Sequence, residues 1–225
     1  MEAIVPKETF TFFKELKKNN NREWFEIHKK EFKAIEAQIK IFYIELMEQL
    51  QTHDEIEAYK LFRIYRDVRF SKDKTPYKTH FGGWYRRSKP RLRGGYYLHI
   101  APGDTFIACG FWEPSKEDLF RIRKEFEQDA SEVREIIENP AFKKVWGTLE
   151  GEEVKTAPKG FDKEHPDIDL IKKKQHIFIK KFTDKEVLAA DFSYKVNEDF
   201  KTIRPYFDYM SDVLTTDLNG VSLID

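Results

Sequence analysis

Arg63, Arg66 and Arg69 recur at three-residue intervals and run into a polar loop holding Ser71, Lys72, Lys74, Thr75, Tyr77 and Lys78. A guanidinium offers a planar fork of donors that suits phosphate or carboxylate bidentately, while lysines and hydroxyls add point donors. This combination is the chemistry of an oxyanion cradle. Pro76 holds Thr75 in extended geometry, which favours a shaped loop over a floppy one. The loop is not a phosphate-binding P-loop, because the Gly-x4-Gly-Lys-Ser/Thr spacing is absent. The bland reading is that lysine-rich hairpin loops protect sheet edges. Arg66 is the sharpest anomaly. An alternating pattern puts it on the same face as Phe62, Ile64, Val68 and Phe70, where a charge needs an internal acid or a ligand.

Two imidazoles follow. His80 and His99 fall on expected strands, with Trp84, Tyr85, Tyr96 and Tyr97 near them in sequence. A histidine there can act as general base or as a donor to phosphate, although a strand histidine is more often just a hydrogen-bonded side chain. Tyr97 offers a hydroxyl and a ring. No metal site is expected, since there is no His-Glu-x-x-His, no cysteine pair and no tight histidine cluster. No cofactor is indicated. Cys109, the only cysteine, sits between Ile107 and Phe111 and reads as a small buried hydrophobe. A second polar stretch, Asp162 to Asp169, is rich in acids and is expected either to fold over the basic segment and pair with its lysines and arginines or to supply Asp162 or Asp167 as an acid or base at the rim of the cradle.

The elements that must position these groups read as helices flanking a sheet. Phe10, Phe13 and Leu16 form one stripe after Pro6, and Asn19 to Asn21 stop that helix. A helix from about Arg22 to Gln51 repeats Trp24/Phe25, His28, Phe32, Ile35, Ile39, Phe42/Tyr43, Leu46 and Leu50 at the helical period. The pattern then alternates. Strands are expected at Leu61–Phe70, Thr79–Tyr85, Gly95–Ala101, Thr105–Trp112 and, as an edge, His176–Phe182. Ser115 opens a helix running to about Asn139, and a short turn of helix follows Pro140. A last helix from Asp191 or Ser193 is interrupted by Pro205, and the residues after about Thr215 look frayed. The Arg86–Gly95 connection is expected to be an exposed, mobile surface. The fold class is α+β: a central, mostly antiparallel sheet packed by long N-terminal and C-terminal helices, in a single domain spanning 1–225.

Charge is distributed unevenly. The 225 residues carry 40 basic and 40 acidic side chains, a formal zero. Lys60–Arg93 holds twelve basic residues against Asp67 and Asp73, a net +10, and the remainder is −10. The sequence lacks a signal-like N-terminus and a membrane-length apolar run, so a soluble, reducing, cytoplasmic setting is the expectation.

Five ordered segments carry a resemblance. Asn19–Phe32 (NNNREWFEIHKKEF), Arg66–His80 (RDVRFSKDKTPYKTH), Gly95–Gly103 (GYYLHIAPG), Gly110–Ser115 (GFWEPS) and Pro158–Lys174 (PKGFDKEHPDIDLIKKK) together resemble the conserved-hypothetical family of bacteria and fungi called domain of unknown function twenty-four sixty-one. The resemblance covers nearly the whole chain and implies one domain. It carries no activity, substrate or cofactor.

Three functions fit these residues. The leading one is binding of an anionic, phosphate- or carboxylate-bearing ligand by the basic strand and loop, with no reaction specified. The second is nucleic-acid binding through Arg63–Arg93, with Tyr77, Trp84, Tyr85, Tyr96 and Tyr97 stacking on unpaired bases. The neutral total and the lack of a helix-turn-helix or RNP signature count against it. The third is a structural or interaction module whose basic patch docks on an acidic partner or on a second copy. No membrane partner is expected, and the sequence fixes no oligomeric state.

Overall fold

The computed structural model of the chain describes residues 4–224. Five strands form one antiparallel sheet in the order β1-β2-β3-β4-β5: Ile56–Leu61 (β1), Phe81–Arg87 (β2), Gly95–Ile100 (β3), Thr105–Phe111 (β4) and His176–Phe182 (β5). Each strand lies beside its neighbour in sequence, with short connections between β2, β3 and β4, the 62–80 segment between β1 and β2, and residues 112–175 between β4 and β5. The expected α+β class holds. By its internal contacts the chain divides into two compact units. One comprises Met1–Tyr85, Tyr97–Ile107 and Lys181–Glu198, and the other Arg86–Tyr96, Ala108–Lys180 and Asp199–Asp225.

The first unit is built on two N-terminal helices, α1 (Lys7–Lys18) and α2 (Arg22–Leu50). Asn21 caps α2 by accepting a hydrogen bond from Trp24 N at 2.9 Å, and Glu23 lies in the first turn, where the helix dipole favours a carboxylate. The stripe Phe25, Phe32, Ile35, Ile39, Phe42, Tyr43, Leu46 and Leu50 is buried along its whole length. Phe13 and Phe32 pack their rings on Phe81 at 5.0 and 5.8 Å. Tyr43 docks the helix on the sheet by donating its hydroxyl to Leu98 O at 2.8 Å. Gly83 permits the approach, since a Cβ there would stand 2.5 Å from the Tyr43 ring and 2.7 Å from Lys60 O. Leu98 and Ile100 are buried on this side, and Tyr97 and His99 alternate to the other.

The second unit gathers α3 (Lys116–Gln128), α4 (Ser131–Glu138), α5 (Pro140–Trp146), α6 (Ile168–Ile171) and α9 (Arg204–Thr215). Two short elements, α7 (Asp184–Val187) and α8 (Phe192–Lys201), precede α9 in the chain. The single helix expected from Ser115 to Asn139 is broken in two. Asp129 accepts from Ser131 N at 2.8 Å and so restarts the helix with its own side chain. Pro205 starts α9 in its first turn instead of kinking a continuous helix, because a ring that lacks an N–H suits a helix start. Residues 216–224 hold a bridge and turns in place of the expected frayed end. Thr216 bridges Ser222, and Asp217 accepts from Asn219 N and Val221 N.

The largest departure concerns Leu61–Phe70. The regular strand lies earlier, at β1, and ends at Leu61. Phe62–Arg66 instead pairs irregularly with Pro76–Gly82 as a two-stranded ribbon. Phe62 N donates to Gly82 O, Lys78 N to Ile64 O and Arg66 N to Pro76 O, with one bridge between Tyr65 and Tyr77. Of the five residues assigned to an apolar face, only Ile64 is buried, and Phe70 is 96 % exposed. The ribbon meets the helix layer only where Tyr65 and Tyr77 lie against Phe25 of α2, and Val68 to Phe70 lie beyond its paired part, so alternation in sequence does not become alternation in burial.

Candidate functional site

The ribbon is clamped at its root. Asn20 donates to Tyr77 O at 2.9 Å and accepts from Tyr77 N at 3.1 Å, acting as a one-residue substitute for a neighbouring strand. Tyr77 is buried and stacks on Phe25 at 4.0 Å with 21° between the planes. It is thus part of the clamp.

Most of the charge in the loop is consumed locally. Arg66 pairs with the Asp73 carboxylate and also donates to the Thr75 hydroxyl and, at 3.2 Å, to Thr75 O. Asp73 in turn accepts from Thr75 N and the Thr75 hydroxyl, both at 2.9 Å. These two bonds and the Arg66 guanidinium hold the Asp73 carboxyl down at about 2. Arg66 is therefore in an ion pair with its own loop. Arg69 makes a bidentate pair with Asp67 at 3.0 and 2.6 Å, and that hydrogen bonding lowers the carboxyl of Asp67. Lys74 donates to Val68 O at 2.9 Å. Lys72 is exposed and Ser71 half-buried near the tip.

A different subset comes together on the sheet face opposite α2. His80 and His99, from the β2 and β3 sides, have ring centroids 4.1 Å apart. The Tyr97 hydroxyl and His99 Nδ1 share a hydrogen bond of 3.2 Å. Phe106 of β4 stacks on His99 at 4.6 Å and 12°, and lies 5.8 Å from Tyr97. Tyr97 reaches over Gly82, where a Cβ would stand 2.6 Å from its hydroxyl. Lys78 and Arg63 lie at the ribbon edge of this ledge. Lys78 Nζ donates to Arg63 O at 3.0 Å and sits 5.3 Å above the Phe62 ring. Among the described residues, neither Lys78 nor Arg63 has a carboxylate partner within ion-pair distance.

The electrostatics of the ledge follow from burial. Burial pushes the His80 imidazole down to about 4, helped by His99 and Lys78 and opposed by Asp104. Burial likewise lowers His99, with Asp104 opposing. Burial and the neighbouring Arg63 charge lower Lys78, and burial raises the Tyr97 hydroxyl. At neutral pH the ledge thus presents two neutral imidazoles and a phenol beside two cations. Every one of these groups can donate a hydrogen bond, and none carries negative charge. Among the described residues no cluster of three His, Cys, Asp or Glu side chains is placed to hold a metal ion.

Of the residues singled out in the sequence, the structure brings Arg63, Lys78, His80, Tyr97 and His99 together. It leaves Arg66, Arg69, Ser71, Lys72, Lys74 and Thr75 out along the ribbon and Tyr77 beneath it. Phe106 is the member that the sequence reading passed over. Its signal was alternation, since Ile107 and Cys109 are core and the residue before Ile107 must face the other way.

Two other regions correct expectations. The Arg86–Gly95 connection is not simply a mobile surface. Arg87 is 0 % exposed and donates to Arg93 O at 2.8 Å, Phe207 O at 3.3 Å, Ser211 Oγ at 3.2 Å and Asp208 at 3.1 Å. Arg93 pairs with Asp118 at 2.6 Å. The acid-rich stretch is structural. Asp167 and Asp169 both pair with Arg134 of α4, and His165 Nε2 lies 3.1 Å from Glu127 O. A cleft of about 250 Å³ beside them is lined by Arg134, Glu138, Lys143, Glu153, Asp169 and Lys173, whose charges pair among themselves.

The molecule is thus an α+β protein whose first unit sets α2 on one face of its strands and a ledge of rings and cations on the other. The model of the family described as conserved hypothetical protein (DUF2461) matches residues 8–209, and the chain belongs to that family. Comparison with curated proteins and comparison with solved structures each returned no significant match. Among the described residues no helix is long and apolar enough to cross a membrane.

Proposed function

We propose that this protein binds an anionic ligand, phosphate- or carboxylate-bearing, on the ledge formed by Arg63, Lys78, His80, Tyr97 and His99. The observation that carries the reading is a half-buried Lys78 beside Arg63, neither within ion-pair distance of a carboxylate among the described residues, next to imidazoles held neutral. A cation that is partly desolvated and lacks a carboxylate gains from an incoming anion. The imidazole N–H groups and the Tyr97 hydroxyl supply directional donors for the remaining oxygens. Arg69, Lys72 and Lys74 at the exposed ribbon tip add an attractive field without forming the site. The single buried Cys109 fits a reducing, cytoplasmic setting for this activity.

Thermal and denaturant unfolding of the full chain, with and without inorganic phosphate, pyrophosphate or a dicarboxylate, tests the proposal. A ligand at a hundredfold excess over its Kd stabilises by about 2.7 kcal/mol. This gain is expected to disappear in Lys78→Ala and to persist in Arg66→Ala, whose arginine is already occupied by Asp73. An absence of stabilisation by every anion, or an equal response of Lys78→Ala, overturns the reading.

A further inference from the structure

The outward pole of α2 is apolar where a surface helix is usually charged. Ile27, Ile41 and Ile44 are 79, 58 and 43 % exposed, and Ala34 and Ala37 are exposed between them. Isoleucines scattered singly on a surface need no explanation. These residues line up. At 3.6 residues per turn they share one stripe with Lys30 and Glu48, on the side of the helix away from buried Phe32, Ile35, Ile39 and Leu46. The spacing along this stripe alternates between three and four residues, through positions 27, 30, 34, 37, 41, 44 and 48. That is the repeat of a helix which packs on another helix through a second face, independent of the one on the sheet. Lys30 and Glu48, near the two ends of the stripe, are exposed and take part in no ion pair among the described residues.

We infer that this face docks on the same face of a second copy of the chain, with the two α2 helices antiparallel and the two-fold axis level with residue 39. Each layer of the contact then joins unlike residues. Ala37 meets Ile41 of the second copy, Ala34 meets its Ile44, and Lys30 meets its Glu48. A small side chain opposite a large one fills each apolar layer, as interdigitating cores require. Charge selects the orientation. A parallel pair would set Lys30 against Lys30 and Glu48 against Glu48, whereas the antiparallel pair makes the Lys30–Glu48 contact twice by symmetry. The flanks add little, because Lys33 and Lys40 are held by Glu36 of their own helix and Glu45 accepts from Ser193 Oγ. Ile27 lies at the rim, level with Gln51 of the second copy. The apolar layers therefore carry the affinity. So short a seam falls below roughly 1,200 Å², the low end of specific interfaces, which makes the dimer weak and dependent on concentration.

Sedimentation velocity of the full chain, loaded over about a hundredfold range up to roughly 1 mM, tests this. Expected is a sedimentation coefficient that climbs from monomer towards dimer with concentration. Ile41→Glu replaces an exposed residue by a good helix former, so it should hold the chain as a monomer throughout while its circular-dichroism melt stays that of wild type. Lys30→Glu should weaken the dimer, and the double variant Lys30→Glu/Glu48→Lys should restore it. Oxidative cross-linking reads the orientation. A mixture of Ala34→Cys and Ile44→Cys chains should give a disulfide-linked dimer. Neither variant alone should, because each new thiol would stand about 15 Å along the helix from its own copy, ten residues at 1.5 Å each. A monomer at every concentration overturns the inference. So does a dimer that persists in Ile41→Glu, or cross-linking of Ala34→Cys with itself as readily as with Ile44→Cys.

Discussion

Arg87 and Lys78 belong to one basic segment and have opposite surroundings. Arg87 is fully buried, with its fork spread over two backbone carbonyls, the Ser211 hydroxyl and Asp208, and its plane 4.9 Å from the Phe207 ring. Lys78 is half-buried, with one carbonyl acceptor, one ring beneath it and, among the described residues, no carboxylate within ion-pair distance. The difference teaches how to separate a structural cation from a binding one. A guanidinium whose donors are met by the chain's own acceptors has little left to offer a ligand, however buried it is. An ammonium carries three donors, and Lys78 has a described use for one.

The comparison can be broken most directly at Arg87. Arg87→Ala would take a donor away from two backbone carbonyls and leave a cavity against Phe207, while Asp208 keeps Arg204 at 3.2 Å and Ser211 keeps Arg93 N and Phe207 O. The expected loss is about 2–5 kcal/mol of unfolding free energy, the range for emptying the site of a large buried side chain. Chemical denaturation measures it. A loss below about 1 kcal/mol would show that Arg87 is as dispensable to the fold as a surface cation.

Histidines sharpen the contrast through pH. His176 is 0 % exposed, neither ring nitrogen has a hydrogen-bond partner among the described residues, and burial pushes it down to about 3, with Arg123 and Lys173 adding to the effect. His80 on the ledge is lowered to about 4. Both native values lie below the ordinary 6.5, so the unfolded chain binds more protons through the window between them. Their contribution to stability is complete above about pH 6.5 and is lost as pH falls through 4 and then 3. His176→Leu is expected to flatten this dependence by up to one proton, about 1.4 kcal/mol per pH unit within the window. Urea titrations at several pH values between 3 and 7 would show it. An unchanged slope would place the acid sensitivity elsewhere.

Phosphate bound on the ledge should oppose the fall at His80 and leave that at His176 alone, because an anion beside an imidazole favours its protonated form. Repeating the titrations of wild type and His176→Leu in phosphate reads this out as a shallower acid limb. Identical limbs with and without phosphate would argue that the anion sits away from His80. The smallest effect is expected at Arg66. Its partner Asp73 is largely exposed, so Arg66→Ala should lower stability by no more than about 1 kcal/mol. A loss comparable to that of Arg87→Ala would erase the distinction between the two arginines.

Patterns that packing enforces were readable in advance. The period of α2 emerged with its ends nearly placed, because Asn21 caps it and a continuous apolar stripe covers the sheet. β3, β4 and β5 also appeared close to where their alternation put them. Cys109 is buried among apolar neighbours, as its strand context implied. What misled was alternation without a second layer. Phe62 to Phe70 has the sequence of a half-buried strand, but the ribbon leaves the helix layer, and Phe70 stands in solvent. β1 was missed because Ile56–Leu61 mixes Glu57 and Lys60 into an edge strand of weak pattern. Arg87 was misplaced for a related reason. Basic residues around Lys89 and Pro90 look like surface, and only α9 brings Phe207, Asp208 and Ser211 around the one among them that is buried.

The sequence by itself determined the α+β class, the antiparallel meander and the placement of most cations in one segment, because hydrophobic period, turn chemistry and charge are local properties. The tertiary structure alone decided which of those cations are spent. Whether a guanidinium or an ammonium finds an acceptor depends on residues far along the chain, such as Ser211 for Arg87. Whether His80 meets His99 and Phe106 depends on strand register, which fixes the face and the neighbour of every side chain in the sheet.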